Sequence, residues 1–551
     1  MVRSEGFSFT NRQVILLECI LILGFSIFPV LMHFPYRINI YLSWEGAYRL
    51  YLGQIPYKDF GLPMGFGYWI IPAMFFKLFG PSMITLVKAQ AFINIISAFA
   101  FLSILKSLDV KPAVRFLSLV LYLISFSFVN FWPWYNHSVI VFEFIGIAFL
   151  LQYVFKKENK WRLVWLFLSS FFLFLSFFTK QDAGAFAFLI GLSLIICNAL
   201  YEKRIAPVWW FLACYIIIAL CIFIPFVPYH IGYWFNYGQP PHYDRVSFYD
   251  IFDIFFGKSE WIKFYAAVIV LIWILKFNHF RDTLRDKKFI FFSILAAGIL
   301  FEAAVFQVTS YIPEFNNIFF HSFAIAYIFS YSGLPEKINF KKPIPLFLTV
   351  FLILIWWSSR SWQYMNRVIG KYFPKTEAVD TNEVSIRTFE LAVKTTHADN
   401  EIDPGMSAWV AAPWKPFKGV YMPASDVEGI KKILALPMVK NNGRNLKVLN
   451  MSELTPLAAI IGYKPETGPG IPMWYHRNVA LFEKQIGEYD EKIKSNYYDL
   501  VLFEYIPILN NFYPFQIRDT LQRYYQQIDK FASPRRDGSG DIEVYIRKSD
   551  P

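Results

Sequence analysis

Charge is scarce in this sequence. Asp, Glu, Lys and Arg make up 17% of its 551 residues, where a water-soluble protein carries about a quarter. The scarcity is uneven. From Val14 to about Ser358, polar residues are confined to short breaks between apolar runs; from Arg360 onward the composition is that of an ordinary soluble domain. Cysteine is scarcer still. Cys19, Cys197, Cys214 and Cys221 all fall inside apolar runs, their spacing fits no metal site, and none is available to cross-link the C-terminal part. A Gly-rich phosphate loop, a His/Cys ligand spacing and a Gly-x-Ser-x-Gly elbow are all missing. The formal charge of +12 does not indicate nucleic acid, because the basic residues sit at the ends of apolar runs, where they meet lipid headgroups.

The sequence is rich in long apolar runs, with 56% hydrophobic and 20% aromatic residues. The run from Val14 to Met32 is long for a signal peptide and has no small-residue cleavage site, so it reads as a retained first helix. Further candidate spans lie at about 87–106, 116–132, 138–155, 163–179, 183–200, 207–228, 262–277, 289–309, 318–333 and 343–358, giving about eleven in all. Alternate loops carry about 19 Lys and Arg in roughly 55 positions, against about eight in roughly 105 for the others. That asymmetry puts the N-terminus in the cytoplasm, and an odd span count puts the C-terminal part outside. The stretch GFGYWIIPAMFFKLFG at 65–80 is apolar but short, and it contains Pro72 and Lys77. Counting it as a span would turn the lysine clusters outward, so it reads as a helix in the outer interface. The first outer loop is then long, from 34 to 86.

The expected fold is an α-helical polytopic membrane domain at 1–358 and a soluble extracytoplasmic α/β domain at 359–551. In the latter, 447–454, 498–505 and 541–548 read as strands and 519–531 as a helix. There is no internal repeat.

Polar residues that are costly at a membrane mark function, and here they gather at one face. Glu45, Arg49 and Asp59 lie in the first outer loop. WPWYNHS at 132–138 supplies Trp134, Tyr135 and His137, and TKQDAG at 179–184 supplies Lys180, Gln181 and Asp182. A Tyr-rich loop carries Arg245, and His321 lies just inside the tenth span. Asp182 is a ready N-cap. Glu18, Glu143 and Glu302 lie within spans, where helix–helix hydrogen bonding is the default role.

The segment SWEGAYRLYLGQIPYKDFGLPMG resembles the first outer loop of the GT-C superfamily of membrane glycosyltransferases, which includes protein O-mannosyltransferases and lipid A aminoarabinose transferases. The matching residues are Glu45, Tyr48, Gly53, Pro56, Tyr57 and Asp59, followed by the interfacial helix. Trp44 stands where many members have the first acid of an Asp-Glu pair, which leaves Glu45 and Asp59 both as candidate catalytic acids. The resemblance implies transfer of a sugar from a polyprenyl-phosphate carrier in the inner membrane to an extracytoplasmic glycan, lipid or protein acceptor, usually with inversion. Among the residues gathered at the outer face, Arg49, Tyr57, Trp134, Tyr135, His137, Lys180, Gln181, Arg245 and His321 are the candidate substrate-binding residues; the alternative is an interface anchor for Lys180 and a satisfied buried histidine for His137 and His321. No organic cofactor is implied, and a divalent metal stays open. A phosphate leaving group needs no general acid, so one carboxylate as base and cations for the departing phosphate suffice. The rival readings are a lipid-sugar flippase or transporter, which would place its ionisable groups near the midplane on paired broken helices, and a surface polysaccharide ligase or polymerase, whose large loop comes late in the chain.

The orientation is directly testable. Reporters fused after Pro551 should be active only if they need the extracytoplasmic side; activity restricted to the cytoplasm would mean a miscounted span, with 65–80 the first suspect.

Overall fold

Every expected span coincides with a helix. In the computed structural model, which describes residues 8–36, 40–128, 130–158, 160–239, 248–310, 319–333, 337–356, 409–473, 477, 479–507, 514–534 and 540–548, they are α1 (Asn11–Ile27), α4 (Met83–Ser107), α5 (Pro112–Tyr122), α6 (Tyr135–Phe155), α7 (Arg162–Thr179), α8 (Gln181–Glu202), α9 (Ala206–Phe223), α10 (Glu260–Leu275), α11 (Lys287–Ser310), α12 (Phe319–Tyr331) and α13 (Pro343–Trp356). Two further helices lie in the first loop: α2 (Ile40–Tyr51) and α3 (Gly67–Phe79). The chain is an integral membrane protein. By length and composition, seven helical stretches among the described residues can cross a bilayer: Asn11–Leu31, Met83–Ser107, Tyr135–Phe155, Arg162–Thr179, Gln181–Glu202, Ala206–Phe226 and Lys287–Gln307. The count of eleven therefore also rests on α5, α10, α12 and α13, which are shorter. Helix α3, like α12, has 13 residues, about 20 Å of rise against a hydrocarbon core of about 30 Å; Pro72 and Lys77 within it set it apart.

Local chemistry sets the helix ends. Thr10 and Gln13 form a reciprocal capping box ahead of α1, with the Thr10 amide donating to Gln13 Oε1 at 2.8 Å and the Gln13 amide to Thr10 Oγ1 at 3.3 Å. Pro112 opens α5, where its missing N–H costs nothing. Between α1 and α5, Arg115 donates from Nε to Glu18 Oε1 at 2.6 Å and from Nη2 to Oε2 at 3.2 Å. Both side chains are buried, so the default expectation for Glu18 resolves into a two-point ion pair.

The C-terminal part builds two sheets, one of them with a strand from the first loop. β1 (Phe34–Pro35), β2 (Trp409–Ala411) and β3 (Val420–Pro423) form one in the order β1–β3–β2; β4 (Val448–Met451), β5 (Leu500–Tyr505), β6 (Tyr525–Ala532) and β7 (Asp541–Arg547) form the other in the order β4–β5–β7–β6. The strands expected at 447–454, 498–505 and 541–548 are β4, β5 and β7. The helix expected at 519–531 is corrected. It ends at Tyr524, and the rest is β6, antiparallel to β7. A bulge between Gln527 and Asp529 buries Tyr525 and Phe531 in different clusters and erases the alternation that would have revealed a strand.

The first loop and the C-terminal part are built into each other. β1 follows directly on the first helix and pairs in parallel with β3, Phe34 opposite Val420. Farther along, Gly61 donates its amide to the Ile471 carbonyl and accepts from Met473, at 2.9 and 2.8 Å.

Buried charge makes two features of this fold testable. Glu18→Ala leaves the Arg115 cation unpaired and should destabilise the protein by about 3–5 kcal/mol, whereas the double change to Met at both positions should be near neutral; thermal unfolding in detergent separates the two. In the C-terminal part, Asp426 is fully buried with neither carboxylate oxygen bonded among the described residues. Burial first, then Glu504, pushes its carboxyl from 3.8 up to about 8. A raised carboxyl pKa makes the folded state hold a proton that the unfolded state releases. Stability should therefore be greatest at low pH, fall as pH rises from about 4 to 8, and level off above that. Hydrogen exchange in residues 424–435 should show this fall in the wild type and a flatter profile in Asp426→Asn.

Candidate functional site

Helix α2 presents Glu45 and Arg49 one turn apart, an i, i+4 spacing that brings their side chains together. Arg49 donates to Glu45 Oε1 from both Nε and Nη2 at 2.8 Å. Its remaining nitrogen, Nη1, donates to Gln54 Oε1 at 3.0 Å and to the Glu466 carbonyl at 2.7 Å, and its plane lies over the Phe60 ring at 5.2 Å. The Arg49 side chain is 5% exposed and that of Glu45 is 17% exposed, so the carboxylate faces the open side of the pair. Glu45 Oε2 makes no hydrogen bond among the described residues. Gly46, the next residue, packs α2 onto α3; a Cβ there would lie 2.0 Å from the Trp69 ring.

The turn after α2 is closed by its own polar groups. Asp59 Oδ2 accepts the Ile55 amide at 2.7 Å, and the Asp59 carbonyl accepts from Gly468 at 2.8 Å. Tyr57, at φ +63° and buried, donates its hydroxyl to the Met64 carbonyl at 2.8 Å, while its own carbonyl accepts from the His230 amide at 3.0 Å. The Asp59 carboxylate and the Tyr57 hydroxyl thus hold the loop in shape, and Glu45 is the loop acid directed away from the backbone.

A second group forms where α6 and α8 begin. Lys180 donates to Asp182 Oδ2 at 2.8 Å and lies over the Phe306 ring of α11 at 4.3 Å. Burial pushes the Lys180 ammonium below the ordinary lysine range; Asp182 pulls the other way and Glu302 does so more weakly. Tyr135 lies near enough to Asp182 to feel its charge, and its ring touches Trp134 and, at 5.9 Å, Tyr68 of α3. Gln181 donates to the Trp234 carbonyl at 2.7 Å and to the Pro63 carbonyl at 3.4 Å, which ties the start of α8 to the first loop. Tyr68 and Trp69, then Phe60 beneath Arg49, continue the ring contacts back to the Glu45 pair. Glu45, Arg49, Trp134, Tyr135, Lys180 and Gln181 therefore lie around one end of the bundle, the end on which the C-terminal part sits.

Other expected residues lie elsewhere. His137 packs its ring edge-on to Phe126, and His321 is hydrogen-bonded to the Tyr265 hydroxyl of α10 at 2.9 Å within the helix core. Arg245 lies outside the described residues. Glu143 and Glu302 are fully buried on α6 and α11, where their carboxyl groups meet each other with no donor side chain among the described residues. No three His, Cys, Asp or Glu side chains among the described residues are grouped to hold a metal.

The sequence reading missed the C-terminal contribution. Glu466 supplies a carbonyl to Arg49, Pro465 accepts from Gln54 at 3.0 Å, and the buried Tyr463 hydroxyl accepts from Asn450 at 3.2 Å. Burial raises the Tyr463 pKa, Asn450 lowers it, and the Glu45 charge raises it further, so the phenol sits within electrostatic reach of the carboxylate. Only Gln54, inside the Gly-x-x-Pro-Tyr motif, carried a signal; the others lie in a segment with no motif.

No protein-family model and no curated protein matches the chain. Solved structures do. ArnT from Cupriavidus metallidurans in its apo state is 10% identical, with 96% of this chain and 97% of that one covered at a TM-score of 0.52. The same protein bound to undecaprenyl phosphate is 11% identical, with 97% and 98% covered at 0.50. The chain has the fold of ArnT. Coverage this complete takes in the C-terminal part as well as the helices, so the likeness extends along the whole chain.

Proposed function

We propose that this protein transfers a sugar from a polyprenyl-phosphate carrier to an acceptor on the extracytoplasmic side of the membrane, with Glu45 as the base. The single observation that carries the reading is the Glu45–Arg49 pair. Two donors on Oε1 fix the carboxylate in place, while Oε2 stays uncommitted beside the C-terminal segment. ArnT, the fold's aminoarabinose transferase, has been solved with undecaprenyl phosphate, and a lipid-borne donor of that kind accounts for the missing nucleotide motif.

In the proposed reaction an acceptor hydroxyl attacks the anomeric carbon as Glu45 Oε2 takes its proton. The bond from that carbon to the phosphate oxygen breaks, and the electron pair leaves with the lipid phosphate. Displacement from the opposite face inverts the anomeric centre. The phosphate is already a good anion, so the protein needs only a cation near it, a task we assign to Lys180 at the start of α8. Arg49 is a positioning residue: its guanidinium is shared among Glu45, Gln54 and Glu466.

Glu45→Gln keeps shape and removes the base, so transfer should fall by at least about a hundredfold with normal membrane insertion. The readout works whatever the sugar is. In cells producing the variant, the unused donor should accumulate as a glycosylated polyprenyl phosphate, visible by mass spectrometry of the lipid extract against the wild type. Asp59→Asn, which disturbs a turn, should lower the amount of folded protein more than the turnover of what folds. Accumulation in the Asp59 variant alone would transfer the base role to Asp59; accumulation in neither would remove the loop from the chemistry.

A further inference from the structure

The hydroxyl of Tyr463 has a fixed hydrogen-bond polarity. The chain leaves the short helix Leu457–Ile461 through Gly462 at φ +91°, a conformation that glycine adopts without strain, and turns Tyr463 inward between the exposed Gly462 and Lys464. There the hydroxyl accepts from Asn450 Nδ2, on β4, at 3.2 Å. The neighbours of Asn450 dictate that direction. Its Oδ1 accepts the Ser452 amide at 3.2 Å and the Ser452 hydroxyl at 2.6 Å, and its Nδ2 also donates to the Leu454 carbonyl at 3.1 Å. A backbone amide only donates and a carbonyl only accepts, so it is the nitrogen of Asn450 that faces the phenol. The Tyr463 oxygen is therefore the acceptor, and its own proton has no acceptor among the described residues.

The phenol lies beside the Glu45 group. Its ring belongs to the same buried cluster as Trp44, Ala47 and Tyr48 of α2, and the residues that follow Lys464 bind the loop through their carbonyls, Pro465 to Gln54 and Glu466 to Arg49. Burial apart, the groups that act on the charge of this phenol are Asn450, Glu45, Tyr48 and Arg49. A buried donor left without an acceptor is costly, and Arg49 has committed its own donors to Glu45, Gln54 and Glu466. A free O–H beside the free Oε2 of Glu45 suits a group that gives a proton and receives one at the same atom. A hydroxyl does so; a carboxylate has no proton for Glu45, and an ammonium has no lone pair for Tyr463. We propose that Tyr463 binds the acceptor, its O–H donating to one lone pair of the acceptor hydroxyl while Glu45 Oε2 takes that hydroxyl's proton and the second lone pair attacks the anomeric carbon. Tyr463 keeps its own proton throughout. The proposal rests on the sugar-transfer reading above, and adds a C-terminal residue that selects an alcohol as acceptor and aims it.

The test uses the full chain in cells, with glycosylated polyprenyl phosphate in the lipid extract as the readout, normalised to the folded protein recovered in detergent. Tyr463→Phe keeps the ring and removes the donor, and Asn450 retains the Leu454 carbonyl, so the melting temperature should stay close to that of the wild type. Turnover per folded protein should fall about three- to tenfold, the loss of one hydrogen bond, and the unused donor should accumulate, though less than in Glu45→Gln. Asn450→Asp tests the polarity itself. A carboxylate at 450 accepts the phenol proton and turns it away from Glu45, so this variant should show a similar deficit with Tyr463 intact, and adding Tyr463→Phe to it should cost little more. If Asn450→Asp does not fold, Tyr463→Phe decides alone. Normal turnover in folded Tyr463→Phe or folded Asn450→Asp, or a deficit wholly explained by lost folded protein, would overturn the role of Tyr463 while leaving sugar transfer intact. Absence of donor accumulation in Glu45→Gln would instead strike the functional reading, and this proposal with it.

Discussion

The arrangement of the site depends on the Arg49 guanidinium. Its donors divide among a carboxylate on its own helix, an amide in the following turn and a backbone carbonyl of the C-terminal part. Arg suits this position because a planar fork can serve several acceptors in fixed directions, which a lysine ammonium on a flexible stem does not do. Glu45 compensates the charge of the buried cation, and the same contact orients Glu45. One residue thus couples the electrostatics of the candidate base to the docking of a segment more than four hundred positions later in the chain.

The membrane imposes the complementary constraint. In hydrocarbon, charge is tolerated only where it is paired or turned toward protein, and each intramembrane acid here meets one of those terms. Glu18 takes both forks of Arg115 and ties the first helix to α5. Glu143 and Glu302 turn toward one another between α6 and α11, close enough to the Lys180 group for Glu302 to act on the ammonium. The polar residues of the spans therefore stitch helices together or lead toward the end of the bundle where Lys180 and Tyr135 meet, and they leave the lipid-facing surface to Leu, Ile, Phe and Trp.

Much of this was legible in the sequence, and the rest was hidden for identifiable reasons. Helix existence followed from apolar runs, because every helix must hide its backbone from lipid whatever its neighbours do. The i, i+4 spacing of Glu45 and Arg49 agrees with their contact, and the short apolar run at 65–80 is helix α3. Contacts between distant segments left no comparable mark. Arg115 stands just ahead of the span expected at 116–132, and nothing in its neighbourhood shows that Glu18 lies opposite. Tyr57 matched the motif and drew a substrate role, yet its hydroxyl is occupied by the Met64 carbonyl; a motif reports that a residue recurs, not whether it recurs for chemistry or for the shape of a turn. The segment around Glu466 offers Arg49 a backbone carbonyl, and a carbonyl has no residue signature.

That last point bears on how the two parts of the chain divide their work. The proposed base must be fixed to within a fraction of an ångström to act on a hydroxyl, and a loop standing alone would not fix it. Here the loop is framed on three sides: by Gly46 against Trp69 below, by the pairing of β1 with β3 where the first helix ends, and by the backbone bonds of Gly61 and Asp59 to 468–473. Two of those three supports come from the C-terminal part. Its sheets need no catalytic side chain of their own to be indispensable, because they convert a long loop, which conformational entropy would otherwise spread over many states, into a rigid wall that carries Glu45.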